Sequence, residues 1–393
     1  MKKFLKGILI FIIIGIISFV IFKLSDKYKL KILKNNIECT IVTKGCKNAK
    51  ALVYDGGNVY IGYKHSIKLI DNEGKEKNIY DSSGDIEDIE IADDKIFIIA
   101  NDKLIVYSIE ENNERVIISS LPKGGNDIDR KLLVNDRKLY LSINAKSNAG
   151  ILEGEEIENI PTEHNEDIGN GALYVVNLDN YSIDLYASGI RGITGLDTNS
   201  KGQLYGIFSG MLEDETRGVK RDKDYIYLLE KDKWYGWPDF SGGDYITSPR
   251  FAGDDLVKPL LSNIKSKVVP GPIYVNKDVN SIRELAIDKV GIVLPKNGMV
   301  FWDKNNQSVY CLTENKALIE VLKLTDDSYI EDLVFTDDGL FILDSSTGCI
   351  YNLHTNSNIL RFNLPLAIRI YIAILLISIV SIIFLKKRDK KIN

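Results

Sequence analysis

A strand, a polar turn and a second strand recur six times along the chain, and this repeat limits the fold more than any other feature. Asp, Asn and Gly fill the turns, because these residues tolerate positive φ and hydrogen-bond to their own backbone. The six instances are Ala51–Tyr63, Ile89–Ala100, Lys131–Ile143, Ile193–Phe208, Leu285–Pro295 and Leu333–Asp344. Where the loops are short, the spacing is about 40 residues, which is typical of propeller blades.

A third strand follows each hairpin and is rich in β-branched and aromatic residues. The third strands are Ser66–Gly74, Leu104–Asn113, Ala172–Asn180, Tyr225–Lys233, Ser308–Lys316 and Cys349–Ser357. A weaker fourth strand follows in some units, as at Arg115–Ser119 and Ser182–Ala187, and the fourth unit carries an insertion over residues 236–281. Four antiparallel strands repeated radially predict an all-β fold, a six-bladed β-propeller. The alternative is a sandwich or several unrelated β-domains.

A propeller has to close its ring, and one additional strand near the start of the chain suits that purpose. Ile37–Thr43 precedes the first unit and has the pattern of a fourth strand. We therefore expect it to complete the sixth blade and to remove two exposed sheet edges. The predicted propeller covers residues 35–362.

Two apolar runs flank this body and predict transmembrane helices at residues 4–24 and 364–385. Each run approaches the roughly 20 residues that cross a bilayer, and Arg369 lies near one end, where it can snorkel. One alternative for either run is a buried core helix. The first run can also be a cleaved signal peptide, but no small-x-small cleavage pattern follows it, which favours an uncleaved anchor.

Basic residues after the second run predict the topology. The tail, residues 386–393, contains five Lys or Arg residues, which marks it as cytoplasmic. Two spans then place both termini in the cytoplasm and the body outside it. We predict a cell-membrane protein whose partners include the lipid bilayer.

The composition excludes two classes of protein. The chain is 45% hydrophobic and 27% charged, which excludes a disordered protein, and a net charge of −5 argues against a nucleic-acid binder. An exported body permits disulfides, and Cys39–Cys46 or Cys311–Cys349 are candidate pairs, with buried thiols as the alternative.

Three features of the body are candidates for function. Arg191 lies between two glycines on a loop expected to face the central channel, where a guanidinium can bind an anion; the alternative is a surface arginine. The run 234–238 (WYGWP) can stack on a sugar or pack under a blade. An acidic stretch offers oxygen ligands for calcium or is a solvated loop; its members are Glu213, Asp214, Glu215, Asp222 and Asp224.

Three segments resemble the glucose/sorbosone dehydrogenase family, the soluble quinoprotein sugar dehydrogenases. They are Asp224–Pro238 (DYIYLLEKDKWYGWP), Tyr186–Gly206 (YASGIRGITGLDTNSKGQLYG) and Leu132–Gly150 (LLVNDRKLYLSINAKSNAG). The resemblance is specific over residues 120–240. It implies a six-bladed propeller that binds pyrroloquinoline quinone (PQQ) and calcium in its channel and oxidises sugars by hydride transfer.

The resemblance assigns roles to five positions. Arg191 matches the cofactor-contacting arginine, and Asp224 and Tyr235 match positions near the calcium-binding segment. The family's Gly-Pro, whose carbonyls hold calcium, reads Gly210-Met211 here. Asn126 stands at the place of the catalytic histidine, and an amide cannot take a proton from a sugar hydroxyl as imidazole does.

These departures predict a degenerate active site. We expect a membrane-anchored extracytoplasmic propeller that binds a sugar or polyhydroxy ligand or acts in interactions. One alternative is an active quinoprotein oxidoreductase that oxidises a sugar or a related alcohol or aldehyde. Another is a purely structural surface protein.

Overall fold

A computed structural model describes residues 30–125, 128–149, 168–215, 217–251, 256–261 and 268–355. The predicted spans at residues 4–24 and 364–385, the basic tail and Asn126 lie outside these ranges. Among the described residues, no helix has both the length and the apolar character needed to cross a bilayer.

Six antiparallel sheets of four strands confirm the predicted propeller. Blade 1 consists of Ala49–Asp55, Asn58–Tyr63, Ser66–Ile70 and Glu76–Asp81; blade 2 of Ile86–Ala92, Lys95–Ala100, Lys103–Ser108 and Asn113–Ile118; blade 3 of Leu132–Asn135, Lys138–Ile143, Ala172–Asn177 and Ile183–Ser188. Blade 4 consists of Ile193–Thr198, Leu204–Phe208, Tyr225–Leu229 and Tyr274–Val275; blade 5 of Ile282–Asp288, Gly298–Asp303, Ser308–Leu312 and Leu318–Lys323; blade 6 of Ile330–Phe335, Leu340–Asp344, Cys349–Thr355 and Ile37–Lys44. The first strand given for each blade is the innermost.

The ring closes by pairing an early strand with the last one. Ile37–Lys44 pairs antiparallel with Cys349–Thr355, so that Ile37 lies opposite Thr355 and Lys44 lies opposite Cys349. The predicted closure is therefore confirmed, and the compact unit runs over Leu30–Thr355.

Apolar side chains between neighbouring blades form the core. The alternation along each strand sends successive side chains to opposite faces of the blade, so both faces are covered by the neighbouring blades. Between blades 6 and 1, for example, Phe341 and Leu343 lie in one cluster with Leu52 and Ile61. Similar clusters join blades 1 and 2, 2 and 3, 3 and 4, and 4 and 5.

Short elements are added outside the basic blade pattern. Lys31–Ile32 extends blade 5 at its outer edge, and Lys233–Trp234 extends blade 3 as a parallel strand. The insertion in unit four contains a small hairpin, Phe240–Ser241 with Asp244–Tyr245, and a 3-10 turn at Pro249–Phe251.

One predicted hairpin is wrong in blade 5. Leu285–Pro295 does not contain two strands, because residues 289–297 form a loop and the second strand is Gly298–Asp303. The Asp288 carboxylate accepts hydrogen bonds from four successive backbone N–H groups, those of residues 291–294, at 2.7 to 2.9 Å. These donors are then not available for strand pairing.

The candidate disulfides are absent, and all four cysteines are free thiols in the described chain. From Cys39 the extended strand continues for five residues to Lys44, which spans about 16 Å, whereas a disulfide allows about 7 Å between Cα atoms. This distance excludes the Cys39–Cys46 pair. Cys311 lies in blade 5 and Cys349 in blade 6.

Removal of residues 37–44 from the full chain should abolish the cooperative thermal unfolding transition. The deletion leaves an outer edge of blade 6 unpaired. It also opens the ring, because blade 6 is where an early strand pairs with the last one. Circular dichroism and calorimetry measure the transition.

The matched control removes residues 31–32, a strand of similar location that only extends an outer edge. This shorter deletion should keep a single transition within a few degrees of the wild type. An unchanged transition in the longer deletion would contradict closure by this strand.

Candidate functional site

Arg191 lies on the loop between blades 3 and 4, with 9% of its surface exposed. Every nitrogen of its guanidinium donates a hydrogen bond within the protein. Nε donates to Asn148 Oδ1 at 2.9 Å, Nη1 to Ser209 Oγ at 3.1 Å and Nη2 to Glu215 Oε1 at 2.5 Å. Arg191 is therefore part of a buried network and not a surface arginine.

The partner of this arginine is an acidic side chain from the stretch singled out in the sequence. The second carboxylate oxygen of Glu215 accepts the backbone N–H of Asn148 at 2.6 Å. Asn148 is fully buried, and its amide pairs with both backbone groups of Leu212. The Glu215 carboxylate thus neutralises Arg191, so a competing anion has to displace it.

Little space remains next to this ion pair. The described residues around Arg191, Ser209, Glu215 and Asn280 leave a cavity of about 40 Å³. Pockets for small-molecule ligands commonly measure about 300–1,000 Å³. An anionic cofactor such as PQQ does not fit this arrangement of the described side chains.

Asp224 is completely buried and binds backbone N–H groups. Its Oδ1 accepts from Gly210 at 3.1 Å and Asn280 at 2.9 Å, and its Oδ2 accepts from Ser281 at 2.6 Å and Ile282 at 3.0 Å. Burial raises the pKa of Asp224, while these four donors lower it. A carboxylate has about four lone-pair sites, and all four are used here. This geometry joins blades 4 and 5 and does not fit a calcium ligand.

Gly210 and Tyr235 also have structural partners. A Cβ at Gly210 would lie 2.2 Å from the carbonyl oxygen of Lys223, so only glycine permits this approach of the two chain segments. The buried Tyr235 hydroxyl donates to the carbonyl of Leu228 at 2.8 Å and accepts the N–H of Glu230 at 2.9 Å. No cluster of metal-ligating side chains occurs among the described residues.

The aromatic run 234–238 packs inside the protein. Trp237 is 3% exposed, and its indole N–H donates to the carbonyl of Asn148 at 3.1 Å. Tyr235 is equally buried and contacts the rings of Phe208 and Tyr227. These contacts support packing and leave neither ring available for stacking on a sugar.

The axis of the ring holds a larger cavity, the expected central channel, whose lining residues the sequence analysis did not identify. It has a volume of about 560 Å³ and is lined by the innermost strands of all six blades. Lys131 from blade 3 binds Glu284 from blade 5 across it, with 2.7 Å between Nζ and Oε2. Gly195 of blade 4 lies between these blades, and a Cβ there would meet the backbone N of Leu285 at 2.6 Å.

Three aspartates along this axis connect each of three blades to the next. Asp88, Asp197 and Asp332 belong to the innermost strands of blades 2, 4 and 6. Each uses Oδ2 to accept a backbone N–H from the innermost strand of the following blade, at 2.7 or 2.8 Å. The donors are Leu132, Ile287 and Leu52, respectively.

Burial makes these carboxyls harder to ionise. It raises the pKa of Asp88 to about 6 and that of Asp332 to about 7, with Lys131 opposing the shift in both cases. Burial also raises the pKa of Glu284, against the effect of the bound lysine, and raises the pKa of Glu90 well above its usual value. The carboxyl groups of Asp88 and Asp332, which line the axial cavity, therefore change protonation state near neutral pH.

The six-bladed propeller is similar in fold to several solved structures. A carbohydrate-active enzyme of family AA12 from Trichoderma reesei has a TM-score of 0.65 and 14% identity, over 84% of this chain and 98% of that one. The PQQ domain of pyranose dehydrogenase from Coprinopsis cinerea has a TM-score of 0.62 and 12% identity, over 83% and 97% of the two chains.

A PQQ-bound aldose sugar dehydrogenase from Streptomyces coelicolor has a TM-score of 0.56 and 13% identity, over 84% of this chain and 98% of that one. Neither a protein-family model nor a curated protein matches the sequence. At these identities the likeness shows the fold, and the fold that the sequence resemblance implied is confirmed.

The melting temperature should fall as the pH rises from about 5.5 to about 8. The folded pKa values of Asp88 and Asp332 lie above the unfolded value of about 3.9, so the folded state binds more protons in this interval. The stability that these protons provide is lost as pH rises through the folded values, at up to about 1.4 kcal/mol per pH unit for each group. Calorimetry across this pH range measures the slope.

Asp332→Asn is the matched variant, because it keeps an oxygen acceptor for the N–H of Leu52 but removes one titrating group. Its slope should be shallower than that of the wild type. A melting temperature that is flat or rises over this range would contradict the assignment.

Proposed function

We propose that this protein is a membrane-anchored propeller of the sugar-dehydrogenase fold with a degenerate active site, and that it acts by binding or interaction. The observation that supports this most is the ion pair between Arg191 and Glu215. The position that resembles the family's cofactor arginine is neutralised from within the chain. A protein that needed the guanidinium for a cofactor would leave its charge accessible.

The cost of displacing Glu215 argues against PQQ. PQQ carries carboxylate groups, and it would have to replace one carboxylate by another at a guanidinium that already makes charge-assisted hydrogen bonds. The displaced glutamate would lose both donors that now hold its carboxylate. The gain from the new contact is therefore largely offset.

The calcium site and the base support the same proposal. The Asp224 carboxylate has four backbone donors, so a calcium ion there would face N–H groups instead of free lone pairs. Asn126, assigned by the sequence resemblance alone, offers no basic nitrogen near neutral pH. General-base catalysis typically contributes 10²–10⁴-fold to a rate, so its loss is severe.

The second candidate function is an active quinoprotein oxidoreductase. It is favoured by the likeness of the fold to a pyranose dehydrogenase PQQ domain and to a PQQ-bound aldose sugar dehydrogenase. An active enzyme would have to move Glu215 away from Arg191 when the cofactor binds.

Titration of the full chain with PQQ and calcium separates the two functions. We expect no saturable change in the quinone absorbance, no calcium-dependent rise in melting temperature and no oxidation of aldose sugars, because the described groups that would hold the cofactor already have partners within the chain. Denatured protein serves as the control for non-specific quinone adsorption. A saturable spectral change with sugar-dependent dye reduction would establish the enzyme instead.

Membrane anchoring and an extracytoplasmic body are part of the proposal and depend on the apolar runs and the basic tail. Protease added to intact cells should degrade the propeller and spare an epitope fused after residue 393. In permeabilised cells the same epitope should be lost. Loss of the epitope from intact cells would reverse the orientation.

A further inference from the structure

The Glu215 carboxylate is held by two donors of different kinds. One is the Arg191 guanidinium, at 2.5 Å from Oε1, and the other is the backbone N–H of Asn148, at 2.6 Å from Oε2. One guanidinium N–H and one backbone N–H thus hold the two oxygens of a single carboxylate, and hydrogen bonds to a charged group are stronger than those between neutral groups. Here the carboxylate belongs to the same chain.

Other contacts hold both donors in position, independently of the glutamate. Arg191 is also bound by Asn148 Oδ1 and Ser209 Oγ. The Asn148 side chain binds both backbone groups of Leu212, and its carbonyl accepts the indole N–H of Trp237. Removal of the glutamate side chain would therefore leave two buried donors aimed at one place.

The glutamate lies on the open side of the pair. A quarter of its side chain is exposed, against 9% for Arg191. Both residues line the cavity of about 40 Å³, which is partly open to solvent. A carboxylate can therefore approach from the side on which Glu215 lies, while the arginine stays in place beneath it.

We propose that Arg191 and the N–H of Asn148 form a binding site for a carboxylate-bearing ligand, and that Glu215 is its internal, displaceable occupant. This inference depends on the proposed binding role and names the chemical class of the ligand. An external carboxylate replaces the glutamate at the same two donors, and the 212–215 segment releases the carboxylate to solvent. The glutamate lowers the affinity of the site for every anion by competition.

The test uses acetate as the probe, with chloride of equal ionic strength as the reference. In the full chain, Glu215→Ala should lower the melting temperature, because two buried donors lose their acceptor. Acetate should restore it in a saturable manner, and acetate affinity measured by calorimetry should exceed that of the wild type by about tenfold or more.

Glu213→Ala is the matched control in the same segment. Glu213 is largely exposed, and its ion pair with Lys220 measures 3.9 Å. Its melting temperature should stay near that of the wild type and should not respond to acetate. Arg191→Gln added to Glu215→Ala should abolish the acetate response.

Glu215→Gln covers the case in which the alanine variant does not fold. The amide keeps the shape and one acceptor but removes the charge, so acetate affinity should again exceed that of the wild type. If acetate stabilises neither variant, or stabilises Glu213→Ala equally, the pair is purely structural and the inference is wrong. Binding of PQQ to the wild type would overturn the proposed function but not this result, since the acetate response of the variants does not involve the quinone.

Discussion

Pairing between Ile37–Lys44 and Cys349–Thr355 is the interaction on which the remaining structure depends. Each blade buries both faces against its neighbours, so a ring with one incomplete blade would expose a face and an edge at once. Arg191 lies on the loop between blades 3 and 4, and its partners lie on loops within these two blades. Their positions are fixed only when all blades are held around one axis.

Side chains along that axis add a second connection between blades. Asp88, Asp197 and Asp332 each bind the backbone of the next innermost strand, and the Lys131–Glu284 pair spans the cavity. Buried carboxylates are costly, but each of these accepts a hydrogen bond that sheet pairing cannot provide at an innermost strand. The ring is therefore connected by polar contacts inside and apolar clusters between the blades.

The fold could be predicted from the sequence because its signals are local. Strand alternation and turn residues specify each hairpin, and six repeats specify the ring. The failure in blade 5 has a local cause that the pattern hides, since Asp288 binds four N–H groups of an apolar segment that otherwise resembles a strand. Hydropathy does not distinguish a strand from a loop held in this way.

The site was less predictable because its contacts join distant loops. Arg191, Gly210, Asp224 and Tyr235 do lie in one region of the fold, but their partners follow from packing and not from spacing. The sequence does not predict that Arg191 pairs with Glu215, because the acidic stretch contains several carboxylates and nothing in the sequence distinguishes them as partners. The sequence did contain one signal for the aspartates that line the axis. The triplet Ile-Glu-Asp occurs at 86–88 and at 330–332, and it ends in Asp88 and Asp332 at equivalent positions of two repeats.

The closing strand pair also determines how the protein responds to mechanical force. A pull exerted between the two ends of the ring first separates the short strand Lys31–Ile32 from blade 5. It then acts on Ile37 and Thr355, which lie opposite each other at one end of the closing pair. Force in this direction separates the hydrogen bonds one after another, as in unzipping, instead of shearing all of them together. After this short outer strand is released, the sixth blade should therefore open first and at low force, and the other five blades should open after the ring is broken.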